Sequence, residues 1–128
     1  MKPEELRFTN EHEWLEAGKS SARMGISDYA QKELTDVVFV ELPETGREVE
    51  KGEEIVTLES VKATSDVYAP VNGTITAVNS DLEANPQKIN EDPYGEGWLV
   101  EIEISDGDAL AELMDYEDYE KFLEEAEE

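Results

Sequence analysis

Most of the chain consists of short runs in which apolar and polar residues alternate, separated by Gly, Pro and Asn. Alternation with a period of two is typical of half-buried β-strands, and the separating residues are typical of turns. The pattern therefore predicts a mainly β fold built from many short strands. These predicted strands lie at residues 8–17, 22–26, 37–42, 55–60, 64–69, 74–78 and 98–104.

Helical signals are fewer and lie between or after the strands. A short helix is predicted over residues 28–34, because Ser27 is a suitable N-cap and Asp28 suits the positive end of the helix dipole. The other predicted elements are a short helix at 80–84 and a polar loop at 90–97. Apolar residues recur at helical spacing over 110–126, with Asp115 as the candidate N-cap of a final helix. Together they predict one domain spanning residues 1–128.

Lys62 occupies a distinctive position among the seven lysines. It lies between the predicted strands 55–60 and 64–69, so Val61, Lys62 and Ala63 would form the tip of a hairpin. Strands on both sides would hold this tip rigid, and a protruding amine is what a modifying enzyme needs to reach. A catalytic pair of Ser60 with Lys62 is disfavoured, because a hairpin tip offers no burial to lower the pKa of the lysine.

Composition excludes much of ordinary enzyme chemistry. The chain has no cysteine and one histidine, His12. Disulfides, thiolate nucleophiles, zinc sites with cysteine ligands and sites that need two histidines are thereby excluded. The glycine-rich phosphate-binding motifs are also missing. We therefore expect no catalytic residue and no metal site, and interpret the chain as a non-enzyme.

The net charge of −24 at pH 7 makes nucleic acid and anionic membranes poor partners. Two interpretations of the charge stay open: adaptation to high salt, as in a halophile, or docking to basic partner proteins. Acidic residues in nearly every segment favour the first, which predicts a fold that loosens when salt is removed. The chain has no long apolar run and no signal pattern at its N-terminus, so a cytoplasmic location is expected.

Five blocks of sequence resemble the H proteins of glycine cleavage systems, in the order and spacing of that family. The resemblance covers about residues 8 to 125. The blocks are EHEW at 11–14, GISDYAQ at 25–31, DVVFVELP at 36–43, ESVKATSDVYAP at 59–70 and NEDPYGEGW at 90–98.

The resemblance implies a barrel-sandwich hybrid, the fold of lipoyl and biotinyl carriers, with short peripheral helices and a C-terminal helix. It also implies that Lys62 carries lipoate through an amide bond. The attachment segment would comprise Glu59, Ser60, Val61 and Ala63 around it. Biotin carriers usually place their lysine between two methionines, so Val61 and Ala63 favour lipoate.

The function implied is that of a shuttle. The lipoyl arm would take the aminomethyl group from the PLP-dependent glycine decarboxylase, the P protein, and pass it to the tetrahydrofolate-dependent aminomethyltransferase, the T protein. Dihydrolipoamide dehydrogenase, the L protein, would then reoxidise the arm. A lipoate ligase or lipoyl transferase is the fourth implied partner.

Two acidic residues match family positions that line a cleft for the loaded arm, Glu13 and Asp66. A carboxylate there would hold the cationic end of the arm by a charge-assisted hydrogen bond. His12 and Trp14 are interpreted as packing residues. Three alternatives stay open: a relay protein that donates lipoate to other complexes, a biotin carrier, and an unmodified interaction protein with the same fold.

Overall fold

The computed structural model describes residues 2–16, 21–105 and 112–127. Over these residues no helix is both long and apolar enough to cross a bilayer. The strands are β1 (Leu6–Phe8), β2 (Glu13–Glu16), β3 (Ser21–Ile26), β4 (Val37–Glu41), β5 (Glu48–Val49), β6 (Glu54–Ser60), β7 (Thr64–Tyr68), β8 (Gly73–Val78) and β9 (Val100–Ile104). The helices are α1 (Asp28–Leu34), α2 (Asp81–Ala84), α3 (Lys88–Glu91) and α4 (Tyr116–Glu127), and a 3₁₀ turn covers Pro3–Glu5.

The strands form two antiparallel sheets that share one apolar core. The larger sheet has the order β1-β2-β3-β9-β8-β5, and the smaller has the order β4-β6-β7. Both sheets contribute side chains that are at most 3% exposed, so the core lies between them. These include Met24, Ile75 and Ile102 from the larger sheet and Val40, Leu58 and Val67 from the smaller. The predicted barrel-sandwich hybrid with peripheral helices is confirmed.

Both longer helices have the N-caps that the sequence predicts. The Ala30 N–H donates to Ser27 Oγ at 3.1 Å at the start of α1, and the Asp118 N–H donates to Asp115 Oδ1 at 2.8 Å at the start of α4. Each side chain satisfies a backbone donor that has no partner within the helix. Helix α4 packs on β1, where the rings of Phe8 and Tyr119 stack with centroids 4.4 Å apart.

The C-terminal helix is shorter than its apolar pattern predicts. Met114 pairs with Phe8 as an isolated β-bridge before α4 starts, while Leu110 lies outside the described residues. Phe8 lies on the edge strand β1. Its N–H donates to the Met114 carbonyl and its carbonyl accepts from the Met114 N–H, which holds Met114 in an extended conformation.

The prediction of one extended run over residues 8–17 is wrong. Strand β1 ends at Phe8 and β2 begins at Glu13. Between them Thr9 Oγ1 accepts hydrogen bonds from the N–H groups of Glu11 and Glu13, both at 3.2 Å. His12 takes a φ of 69° to complete the turn. A threonine hydroxyl that bonds the backbone ahead of it is a turn signal, and it outweighs the alternation here.

Smaller differences concern the second half of the chain. The predicted loop at 90–97 begins inside the helical turn α3, and the last strand starts at Val100 instead of Trp98. The two-residue strand β5 has no counterpart in the prediction, because so short a segment shows no period.

Candidate functional site at the β6–β7 hairpin

The β6–β7 hairpin presents Lys62 at its tip, as predicted. Antiparallel pairing runs up to Glu59 opposite Thr64, and the Ser60 N–H closes the turn by donating to the Ala63 carbonyl at 2.8 Å. Ser60 Oγ accepts from the N–H groups of Lys62 (3.2 Å) and Ala63 (3.0 Å). The Ser60 hydroxyl is therefore committed to the backbone of the turn, which gives Ser60 a structural reason to precede the lysine.

The tip is also tied to the helix beside it. The Val61 N–H donates to the Asp36 carbonyl at 3.0 Å, and Lys62 Nζ donates to the Glu33 carbonyl at 3.4 Å. Glu33 lies in the last turn of α1, where carbonyl groups lack helical partners and favour a cation. One long hydrogen bond from an exposed side chain is a weak hold, so the Lys62 amine stays accessible.

A cleft of about 310 Å³ lies beside the hairpin, between β7 and α1. Its walls combine apolar side chains with polar groups at the rim. They are Glu11, His12, Glu13, Ile26, Tyr29, Ala30, Glu33, Leu34, Leu58, Ser65, Asp66 and Val67. Ser65 to Val67 follow Lys62 by three to five residues along the strand. At about 3.3 Å per residue, they lie roughly 10–17 Å from it.

A second cavity of about 600 Å³ shares Glu11 and Glu13 with the cleft. It is lined by Tyr68, Ala69 and Pro70 among others. These residues follow Lys62 by six to eight positions, which is roughly 20–26 Å of strand. The smaller cleft is therefore the one that lies within reach of a long group attached to Lys62.

Glu13 lies in the wall between the two cavities and is only 3% exposed. Its Oε2 accepts from the Tyr68 N–H and its Oε1 from Thr9 Oγ1, both at 2.8 Å. Burial raises the pKa of Glu13 to about 7, against these two hydrogen bonds, which lower it. The family resemblance implies an acid facing the cleft, but the sequence gives no sign that this acid is buried and that its pKa is raised.

Asp66 lies on β7 and lines the same cleft. It is half-buried, and its Oδ1 accepts from Thr57 Oγ1 at 3.1 Å across the β6–β7 pair. The structure thus brings the two predicted acids, Glu13 and Asp66, to one cleft although 53 positions separate them.

His12 and Trp14 pack as predicted. His12 Nδ1 lies 2.7 Å from the Tyr119 hydroxyl, and burial lowers the pKa of His12. The same hydroxyl lies 2.7 Å from Ser27 Oγ, the cap of α1. Trp14 is fully buried, and its Nε1 donates to the Pro93 carbonyl at 2.9 Å. The cleft wall is thus connected to α4 through Tyr119.

Sequence reasoning missed the contribution of α1 to the cleft. Tyr29, Ala30 and Leu34 line it from this helix. Ala30 and Leu34 are four residues apart, the spacing of one helix face, so the periodicity of the helix contained a usable signal. Over residues 2–16, 21–105 and 112–127, no group of acidic or histidine side chains is arranged to hold a metal ion.

Comparisons with known proteins agree on one family. The profile of the family described as "Glycine cleavage H-protein" matches residues 6–126. The glycine cleavage system H protein of Carboxydothermus hydrogenoformans is 49% identical over 123 residues, covering 96% of this chain and 95% of the relative. That of Rubrobacter xylanophilus is 51% identical over 125 residues, covering 98% and 97%.

A solved structure supports the same conclusion. The crystal structure of a glycine cleavage system H protein from Mycobacterium marinum superposes with a TM-score of 0.84 at 36% sequence identity. The similarity covers 92% of this chain and 95% of the other.

Proposed function

This chain belongs to the glycine cleavage H-protein family, whose members are non-catalytic carrier subunits, and from that premise we propose that Lys62 is the attachment site of its lipoyl arm. When bound, the arm would supply a disulfide for the aminomethyl group that the P protein produces. The T protein would take over that group, and the L protein would reoxidise the arm. The whole chain, residues 1–128, acts as one carrier domain in this proposal.

The observation that carries the proposal is the presentation of Lys62 at a rigid tip beside an apolar cleft. The Lys62 side chain is exposed, and Ser60 fixes the backbone of the turn. From the lysine Cα to the sixth carbon of a lipoyl group, where its dithiolane ring begins, there are eleven bonds of about 1.5 Å, which in a zigzag extend roughly 14 Å. That length matches the roughly 10–17 Å from Lys62 to the β7 side of the cleft.

The cleft has a composition that suits an arm with an apolar chain and a cationic end. Ile26, Leu34 and Leu58 provide apolar walls, while Glu13 and Asp66 provide carboxyl groups. We assign these two acids as arm contacts. Asp66 would accept a hydrogen bond from an ammonium directly, and a cation near Glu13 would favour its ionised form, releasing the proton.

Mass analysis tests the attachment. The protein is expressed in a host that makes lipoate, and the intact mass is measured before and after Lys62→Arg substitution. A lipoyl-sized increment that maps to the Lys62 peptide and disappears in the variant is expected. Lys51→Arg is the matched control, because Lys51 is also exposed, and it should keep the increment. An unmodified wild-type chain beside other lipoylated proteins in that host would contradict the proposal.

A reconstituted assay then tests the pathway. With P, T and L proteins and glycine, the lipoylated chain should support release of CO₂ from glycine, while the Lys62→Arg variant should not. A lipoylated chain without this activity that still donates lipoate would support the relay alternative. Binding of streptavidin would support a biotin carrier.

A further inference from the structure

Three large apolar side chains are exposed on the described surface, and all of them lie on the hairpin that carries Lys62 or on the strand paired with it. Val61 is 70% exposed, Val38 53% and Phe39 50%. Phe39 pairs with Glu59 across β4 and β6, and the backbone of Val61 is bonded to Asp36, two residues before Val38. We call Val38, Phe39 and Val61 the tip patch.

A bulge in β4 creates most of this patch. The register between β4 and β6 shifts between Val37 and Phe39. Regular alternation would bury every second residue of the strand. Here Val37 and Val40 are each 3% exposed, while Val38 and Phe39 between them both face outward. The bulge therefore brings a second apolar side chain to the surface on an edge strand, beside the hairpin that holds Lys62.

Acidic residues surround the tip patch. Glu59 and Glu41 share the outer face of the sheet with Phe39, and Glu33 and Asp36 lie beside the tip on the α1 side. All four are exposed. An apolar centre with a polar rim is the usual anatomy of a protein–protein contact. A complementary surface would have an apolar pocket within a rim of lysine and arginine.

We propose that the tip patch is the docking surface for the enzyme that attaches the arm, an inference that rests on Lys62 being the attachment site. This enzyme acts on a bare lysine, so it can recognise only the protein surface within reach of the amine. Enzymes that act later meet the far end of the arm, roughly 14 Å from the Lys62 Cα, and are less confined to this surface.

The attachment itself requires an activated acyl donor. With a lipoyl adenylate, the neutral Lys62 amine forms the amide bond to the acyl carbon. The bond from that carbon to the phosphate oxygen breaks, AMP leaves, and the amine loses one proton to solvent. The tip patch makes no bond in this step. The tip patch strengthens binding of the carrier to the enzyme, so it lowers the KM for the carrier.

The test measures lipoyl transfer by mass spectrometry, using a lipoate ligase that modifies the wild-type chain, with ATP and lipoate. Phe39→Ser should raise the KM for the carrier at least about tenfold, as truncation of a central apolar contact does, while kcat changes little. Phe39→Tyr keeps the ring and should restore most of the loss. A double variant, Val38→Thr with Val61→Thr, replaces one methyl group by a hydroxyl group at each position and keeps the shape of both side chains. It should also raise the KM.

Charge variants test the rim separately. Glu41→Gln with Glu59→Gln should raise KM at low salt and reduce its dependence on salt. Glu48→Gln with Glu103→Gln makes the same change of charge on the other sheet, where both residues are exposed, and should leave KM near the wild-type value.

The outcomes separate the two proposals. A wild-type chain that no lipoate ligase modifies contradicts the attachment site itself. A wild type that is modified, with Phe39→Ser and the threonine pair both at the wild-type KM, overturns the docking surface alone. Thermal melts of all variants check the fold, and the exposed positions should shift them little.

Discussion

Replacing Glu13 by glutamine should make the protein more stable relative to the wild type as the pH rises. The pKa of the buried Glu13 carboxyl is raised from 4.5 to about 7. At about 1.4 kcal/mol per pKa unit, the ionised residue lowers the free energy of unfolding by roughly 3 kcal/mol.

The pH range follows from the two pKa values. Below pH 4.5 Glu13 is protonated in both the folded and the unfolded chain, so it contributes no pH dependence. As the pH rises to about 7, the unfolded chain loses the proton while the folded chain keeps it, and stability falls. Above about pH 7 both states are ionised and the full loss of roughly 3 kcal/mol remains.

The substitution also has a cost that does not depend on pH. Thr9 Oγ1 already accepts two backbone N–H groups, so it has no free lone pair for the amide nitrogen of the introduced glutamine side chain. This cost shifts the stability of the variant equally at every pH. The diagnostic quantity is therefore the pH dependence of the difference in free energy of unfolding between the Glu13→Gln variant and the wild type.

Urea unfolding from pH 4.5 to 8.5 measures that difference. About 1 M salt, where the Debye length is about 3 Å, suppresses the general repulsion of the acidic surface. The difference should change by roughly 3 kcal/mol in favour of the variant, mostly between pH 5 and 7. Glu103→Gln, at an exposed position, is the control, and its difference in free energy of unfolding from the wild type should not change with pH. A flat difference for Glu13→Gln, or a change in favour of the wild type, would refute the reasoning.

Three further expectations concern the fold. Lowering the salt from about 1 M to about 0.01 M should lower the melting temperature, because the net charge of −24 is then screened only beyond about 30 Å; a flat or rising melting temperature would contradict this. Gly73→Ala should cost at least about 2 kcal/mol in urea unfolding, because its Cβ would overlap the Glu103 carbonyl oxygen. Gly46→Ala meets no atom within 4 Å and is opposed only by its φ of 89°, so it should cost less. Tyr119→Phe should cost about 1–3 kcal/mol, since His12 and Ser27 both lose its hydroxyl; an unchanged urea midpoint would show that water replaces it.

The hairpin that presents Lys62 is the part of the site that the sequence predicts best. Strong alternation on both sides and small residues at the tip are local signals, and the hydrogen bonds within the turn, from Ser60 to Ala63, are local as well. The cap of α1 by Ser27 belongs to the same class. Such elements can be predicted because neighbouring residues favour the same local conformation.

Features that depend on distant residues escape such reasoning. The burial of Glu13 depends on the backbone of Tyr68, 55 positions away, and the connection of His12 to α4 spans 107 positions. Regular alternation along β6 would place Ile55 and Val56 on opposite faces, yet both are buried, where the register shifts between Glu54 and Val56. Bulges follow from how one strand meets its partner, and the sequence of a single strand does not contain that information.

The unfavourable burial of Glu13 is linked to its proposed role in the cleft. Ionisation of Glu13 costs the folded state roughly 3 kcal/mol, and a cation bound beside Glu13 would relieve that cost. This energy sets the upper limit on the preference for a cationic ligand over a neutral ligand of the same shape. It corresponds to a ratio of affinities of about 10². Below about pH 7 a proton already neutralises the carboxyl, and a cation must displace it. Proton and cation therefore compete for Glu13, and the preference for a cationic group should weaken as the pH falls from 8 to about 6. Glu13→Gln should therefore remove most of this pH dependence. Asp66→Asn changes the neighbouring wall and leaves Glu13 in place, so it should lower the affinity and keep the pH dependence.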